Sequence, residues 1–145
     1  MKASELMVGD WFRFRYTIDG REIVRTFRIS QIENELGEYY VWGDGFGRMC
    51  YPERLEPIPI TPEILEKNGF KKQGFDGWEF DYLTEGGCLI YVVLWRCDYP
   101  KEYHTHLTIE SYSADFGSFK SFRIDCVHEL QHALRLCGIK KEIKI

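Results

Sequence analysis

His128-Glu129-Leu130-Gln131-His132, inside the closing stretch DCVHELQHALRLCG (residues 125–138), spells H-E-x-x-H. On a helix that spacing offers two imidazoles to a zinc ion and a glutamate to the water the ion activates. The extended form of the motif asks for a glycine three residues past the second histidine and a third histidine six past it, but Arg135 and Gly138 stand there. The other layout draws its third ligand from a later helix; thirteen residues follow His132, and Glu142 is their one acidic side chain. At about 100° per residue, Val127, Leu130, Ala133, Leu134 and Cys137 gather on one helix face, and His128, Gln131, His132 and Arg135 on the opposite one. The apolar face is the one expected to bury. Both histidines are therefore expected on a solvated surface, and Cys126 and Cys137 read as small hydrophobes on or near the buried side.

His104 and His106 form a second ligand-like pair, at i and i+2 on one face of an expected strand. If that strand faced the helix, His104, His106 and either His128 or His132 could hold zinc, with Glu129 as general base. This arrangement needs the polar helix face to turn inward. The favoured expectation is no metal, no cofactor and no catalytic residue, with the zinc-dependent hydrolase as the alternative.

Trp11-Phe12-Arg13-Phe14-Arg15-Tyr16 alternates so that Trp11, Arg13 and Arg15 share one face. These three are the candidate binding residues, with arginines for phosphates or acidic groups and an aromatic ring for stacking. Residues 11–28 hold five arginines against Asp19 and Glu22, but residues 33–56 return six acids against two arginines, so a nucleic-acid surface stays the lesser alternative. The glycine-rich GDGFGR (43–48) lacks the Gly-Lys-Ser/Thr ending of a phosphate loop and reads as a hairpin turn. Nothing in the sequence pairs a cysteine or serine with a base.

The elements that must position these residues divide the chain in two. Residues 1–57 carry short alternating runs separated by tight-turn signals: WFRFRY, then Asp19-Gly20, then EIVRTFRISQIE, then EYYVW and a strand through Met49 to Tyr51. Four or five such strands predict a small SH3-like β-barrel. Prolines at 52, 57, 59 and 62 mark the link. Thr61 reads as an N-cap with Pro62 in the first helical position, and Asn68-Gly69 as the stop. Residues 60–145 then read as a short helix, an antiparallel meander over 78–82, 88–97, 103–112 and 119–124, and a C-terminal helix capped by Asp125 and closed by Gly138. The links TEGG, DYPKE and SADFG have turn chemistry. The fold class expected is α+β.

At 145 residues, with 44% hydrophobic and 16% aromatic residues, the chain has the apolar area to fold. A formal charge of −4 makes it a poor non-specific binder of phosphate backbones or anionic lipid. Five cysteines with no C-x-x-C pair indicate neither a disulfide scaffold nor a zinc knuckle, and a reducing cytoplasm is expected. The longest apolar run, Cys88 to Trp95, is eight residues, too short for a membrane helix.

MKASEL-x-VGDW at the start, LEPIPITPEIL-x-KNGF in the middle and VHELQHAL near the end resemble an uncharacterised family of short proteins from gut bacterial genomes, their phages and mobile elements. The likeness spans nearly the whole chain. It implies no activity, cofactor or partner, and family members usually carry asparagine or another residue where His132 stands. Together these readings predict a non-catalytic accessory or binding protein of the phage or mobile-element type, cytoplasmic, off the membrane, with another protein as its partner.

Overall fold

Asp19-Gly20 turns the first hairpin with both residues at positive φ, 50° and 74°, as a two-residue type I′ turn requires. It joins β1 (Trp11–Ile18) to β2 (Arg21–Glu35) in continuous antiparallel register from Trp11 opposite Arg28 to Ile18 opposite Arg21. The structure, a computed structural model, describes residues 5–74, 77–84, 87–97, 104–112 and 117–145, with the side chains of 46–50, 96, 97, 104, 111, 112 and 117–119 outside the description. TEGG and SADFG fall partly, and DYPKE and Tyr103 wholly, outside the described residues.

A second tight turn, Leu36-Gly37, leads from β2 to β3 (Glu38–Gly43), again with two positive φ values, 53° and 90°. Asn34 supports it by accepting the Gly37 N–H on Oδ1 at 3.2 Å. Leucine is poorly suited to left-handed backbone, and the Leu36 side chain is fully exposed, so no packing offsets the strain. Leu36→Asn is expected to stabilise this unit by about 1 kcal/mol, since asparagine tolerates left-handed backbone. The check is urea unfolding followed by the indole NMR signals of Trp11 and Trp42 in the parent and the variant side by side; an unchanged or lowered midpoint would count against the turn geometry.

After β4 (Phe46–Cys50), a 3-10 turn at Pro52–Arg54 delivers β5 (Leu55–Pro57) to the side of β1 away from β2. The sheet order is β4-β3-β2-β1-β5. Among the described residues no ladder joins β4 to β5, so the sheet is open where a closed barrel was expected. Its register slips between Ile29 and Gln31, and such a bulge bends a long strand. Phe12, Phe14, Phe27, Ile29, Val41 and Leu55 form the core of this unit, with Tyr16 stacked on Phe14 at 5.6 Å.

The chain divides into two compact units, Met1–Pro59 and Ile60–Ile145. The second opens with α1 (Pro62–Lys67), where the Thr61 hydroxyl accepts the Ile64 N–H at 3.4 Å and Gly69 leaves the helix at φ 79°. A short strand the sequence did not announce, β6 (Lys71–Gln73), starts a meander through β7 (Gly77–Leu83), β8 (Leu89–Cys97), β9 (His104–Tyr112) and β10 (Gly117–Ile124), all antiparallel. β8 lies in the middle of the order β10-β9-β8-β7-β6. α2 (Val127–Leu136) follows; its N-cap is Cys126, one residue later than the expected Asp125, and Gly138 ends it at φ 74°. The whole is α+β, two antiparallel sheets with two short helices. No helix among the described residues is long and apolar enough to cross a membrane.

In the second sheet, side-chain alternation sends Ile90, Val92, Leu94, Leu107 and Ile109 to one face, where all are buried. The helices and the tail after α2 cover that face: Phe70 packs on Phe80 at 5.2 Å, and the Lys141 ammonium lies 4.4 Å from the centre of the Phe80 ring. Ile139 and Ile143 of the tail are fully buried.

Candidate functional site

The first turn of α2 gathers the motif residues differently from the helical projection. The Glu129 carboxylate turns back over the helix start and accepts the backbone N–H groups of Asp125 at 2.7 Å and Cys126 at 3.2 Å. These are among the donors a helix start leaves unpaired, and a glutamate in the third helical position satisfies them as half of a capping box. Burial pushes the Glu129 carboxyl up, but the hydrogen bonds from Asp125 and Cys126 outweigh it and hold the group below the usual glutamate range. A carboxylate oxygen occupied in this way is not aimed at a water as a general base would be.

His128 is buried, with Nδ1 3.2 Å and Nε2 3.7 Å from the Cys126 sulfur. Burial, reinforced by the neighbouring Glu129, raises the Cys126 thiol well above the usual cysteine range. The His132 ring meets His128 edge-on, centroids 5.7 Å apart, and is half-buried. Among the described residues, Cys126, His128 and Glu129 are the one trio of potential metal ligands, with their donor atoms all within 4.8 Å of one another. Sequence reasoning took Cys126 for a small hydrophobe; the signal that could have found it is a thiol at the N-cap, two and three residues ahead of an imidazole and a carboxylate.

The expected solvated face of α2 is not solvated at His128 and Gln131, which are 6% and 3% exposed. A helical projection assumes one covering layer, and here there are two: the sheet on the apolar side, and residues 139–145 returning over Gln131. The Gln131 amide nitrogen donates to the Lys141 carbonyl and its oxygen accepts the Ile143 N–H, each at 2.7 Å. Asn68, at the end of α1, holds the next residue in the same manner, accepting from the Lys144 N–H at 2.9 Å and donating to the Lys144 carbonyl at 2.7 Å.

The composite histidine site is not assembled. His106 stands opposite Trp95 on the uncovered face of the sheet, its ring 5.4 Å from the indole, whereas α2 and its tail lie on the other face. The expectation for His104 falls on a side chain outside the described residues. In the first unit, Arg13 and Arg15 are exposed and Trp11 half-buried, on the face opposite Phe12 and Phe14. Arg15 is engaged by two acids, Glu22 at 2.9 Å and Glu56 at 2.9 and 3.3 Å. The hydrogen bond from Arg15 lowers the Glu56 carboxyl despite some desolvation. A phosphate would have to displace those carboxylates, which weakens the nucleic-acid alternative.

Two concavities belong to the second unit. One, of about 220 Å³, lies between α1 and the sheet and is lined by Leu65, Lys72, Trp78, Trp95 and Thr105 among others. The other is a shallow depression on the uncovered face formed by Leu89, Tyr91, Val93 and Glu110. Leu89, Tyr91, Val93 and Trp95 are alternate residues of β8, so the middle strand of the sheet presents an apolar stripe there, with Tyr91 37% and Trp95 45% exposed. Asp81 and Glu110 flank Tyr91 from the neighbouring strands. No family model, curated protein or solved structure matches the chain at a significant level.

Proposed function

We propose that this is a non-catalytic binding protein, an accessory protein of the phage or mobile-element kind, that docks a protein partner on the uncovered sheet face of its second unit. The carrying observation is the stripe Leu89, Tyr91, Val93 and Trp95. An antiparallel sheet with one covered face ordinarily alternates apolar inside and polar outside. β8 is apolar on both sides. An apolar and aromatic stripe bordered by polar residues is the composition of protein interfaces. Asp81 and Glu110 beside Tyr91 select a partner that sets lysine or arginine around an apolar centre. A face-to-face second copy would bring those acids against each other, which disfavours self-association through this surface. The first unit reads as an SH3-like sheet left open between β4 and β5; the bulge in β2 and the 3-10 turn before β5 support that reading.

The test is selection of ligands from a random peptide display library on the intact chain, counter-selected on Tyr91→Ala/Trp95→Ala. The expected ligands combine basic and apolar residues, and lose binding by about 100-fold or more in the double variant, in line with truncating interface aromatics. Asp81→Asn/Glu110→Gln should weaken them about tenfold and flatten their salt dependence. Ligands that bind the variants as well as the parent, or that are acidic, would refute the surface.

A further inference from the structure

We propose that Cys126, His128 and Glu129 form a binding site for a divalent cation of zinc type at the start of α2, a site independent of the docking surface above. The donor set decides the metal class. A thiolate, an imidazole and a carboxylate suit zinc, whereas magnesium and calcium take oxygen ligands. The side chains are as near to one another as that ion needs. Zinc bonds of about 2.3 Å to sulfur and about 2.05 Å to nitrogen, at a tetrahedral angle, set the two ligand atoms about 3.6 Å apart. Only one ring nitrogen can bind the ion, and the Cys126 sulfur, 3.2 Å from His128 Nδ1 and 3.7 Å from Nε2, lies over the ring face, so the imidazole must turn about its side-chain bonds to aim one nitrogen at a shared ion. With the Glu129 oxygen included, the trio lies within 4.8 Å, near enough for side-chain rotation to gather it around an ion.

Burial sets the rest. Cys126 and His128 are 7% and 6% exposed, and Glu129 is half-buried, so an ion would sit against protein on two sides and meet water at its fourth position. The N–H groups of Asp125 and Cys126 fix one Glu129 oxygen and leave the other for the ion, orienting the ligand from outside the coordination sphere. Binding breaks the S–H bond, forms the metal–sulfur bond and releases one proton to solvent; no electron is transferred. Glu129 then serves as a ligand and not as a base, and His132 is not required. With all three ligands between residues 126 and 129, the ion would pin the N-cap to the first turn of α2.

Cobalt(II) reports this site directly, because thiolate ligation produces a near-ultraviolet charge-transfer band and tetrahedral geometry gives intense visible bands. Untagged, reduced protein titrated with cobalt chloride is expected to bind one equivalent with both features, and one equivalent of zinc should erase them. Cys126→Ser keeps a good N-cap residue, so the fold should persist while the thiolate band vanishes and zinc affinity falls by about 100-fold or more. His132→Asn should leave the band in place. Absence of saturable binding, a thiolate band that survives Cys126→Ser, or binding without that band that is lost in His132→Asn would each overturn the site, the last in favour of the H-E-x-x-H pair.

Discussion

Gln131→Ala is expected to destabilise the second unit by about 2–4 kcal/mol, because it strips partners from two backbone groups at once, each worth about 1–3 kcal/mol when left buried and unpaired. Those groups are the Lys141 carbonyl and the Ile143 N–H, which the Gln131 carboxamide holds at 2.7 Å each. The carboxamide acts on the tail as a neighbouring strand would, donating to one residue and accepting from a residue two along. Losing it also loosens Ile143, which is fully buried in the layer over α2, while Ile139 stays tied by its N–H to the Leu134 carbonyl. Urea unfolding measures the loss, and amide hydrogen exchange locates it: the Ile143 amide should exchange faster than β8 amides in the variant. Gln131→Glu separates the two halves of the clamp. It keeps an acceptor for Ile143 and sets a carboxylate against the Lys141 carbonyl, so its stability should fall between parent and alanine variant near pH 4 and approach the alanine value at pH 8. Equal stability of parent and Gln131→Ala, within about 0.5 kcal/mol, would mean that the tail is not held in this way.

Much of the fold was legible because it is written in local signals. Asp19-Gly20 demands its hairpin, Thr61-Pro62 its helix start, and the apolar alternation of Phe12, Phe14 and Tyr16 its buried face. What was illegible depends on residues far apart in sequence. Leu36-Gly37 looks like no hairpin turn, and is made one by the β2–β3 register. β6 is three polar residues that become a strand only because Glu79 and Trp78 lie alongside. At the candidate site, the periodicity of α2 correctly set Leu130 and Leu134 inside, but it carried no trace of a tail that returns to cover Gln131. The motif itself misdirected attention to His132, when the side chains that come together with His128 are the N-cap cysteine and the capping glutamate. That grouping is a property of how the helix starts, and H-E-x-x-H spacing does not describe helix starts.

Gly43→Ala should cost the first unit about 1–3 kcal/mol through overpacking alone. Gly43 is the last residue of β3, opposite Ile29, and its φ is ordinary, so the requirement for glycine is one of space. A methyl group built there would overlap the Phe27 ring. That ring cannot yield easily: Phe27 is 3% exposed and belongs to the cluster with Phe12, Phe14 and Ile29. Interiors this closely packed have few voids into which a displaced ring can move. The diagnostic measurement is a double-mutant cycle with Phe27→Leu, which removes ring atoms at the point of overlap. If the clash is the cause, the double variant should be more stable than the sum of the single losses by about 1 kcal/mol or more, since residues in contact couple on that scale. Additive losses would sink the explanation and place the cost in the backbone of the β3–β4 turn.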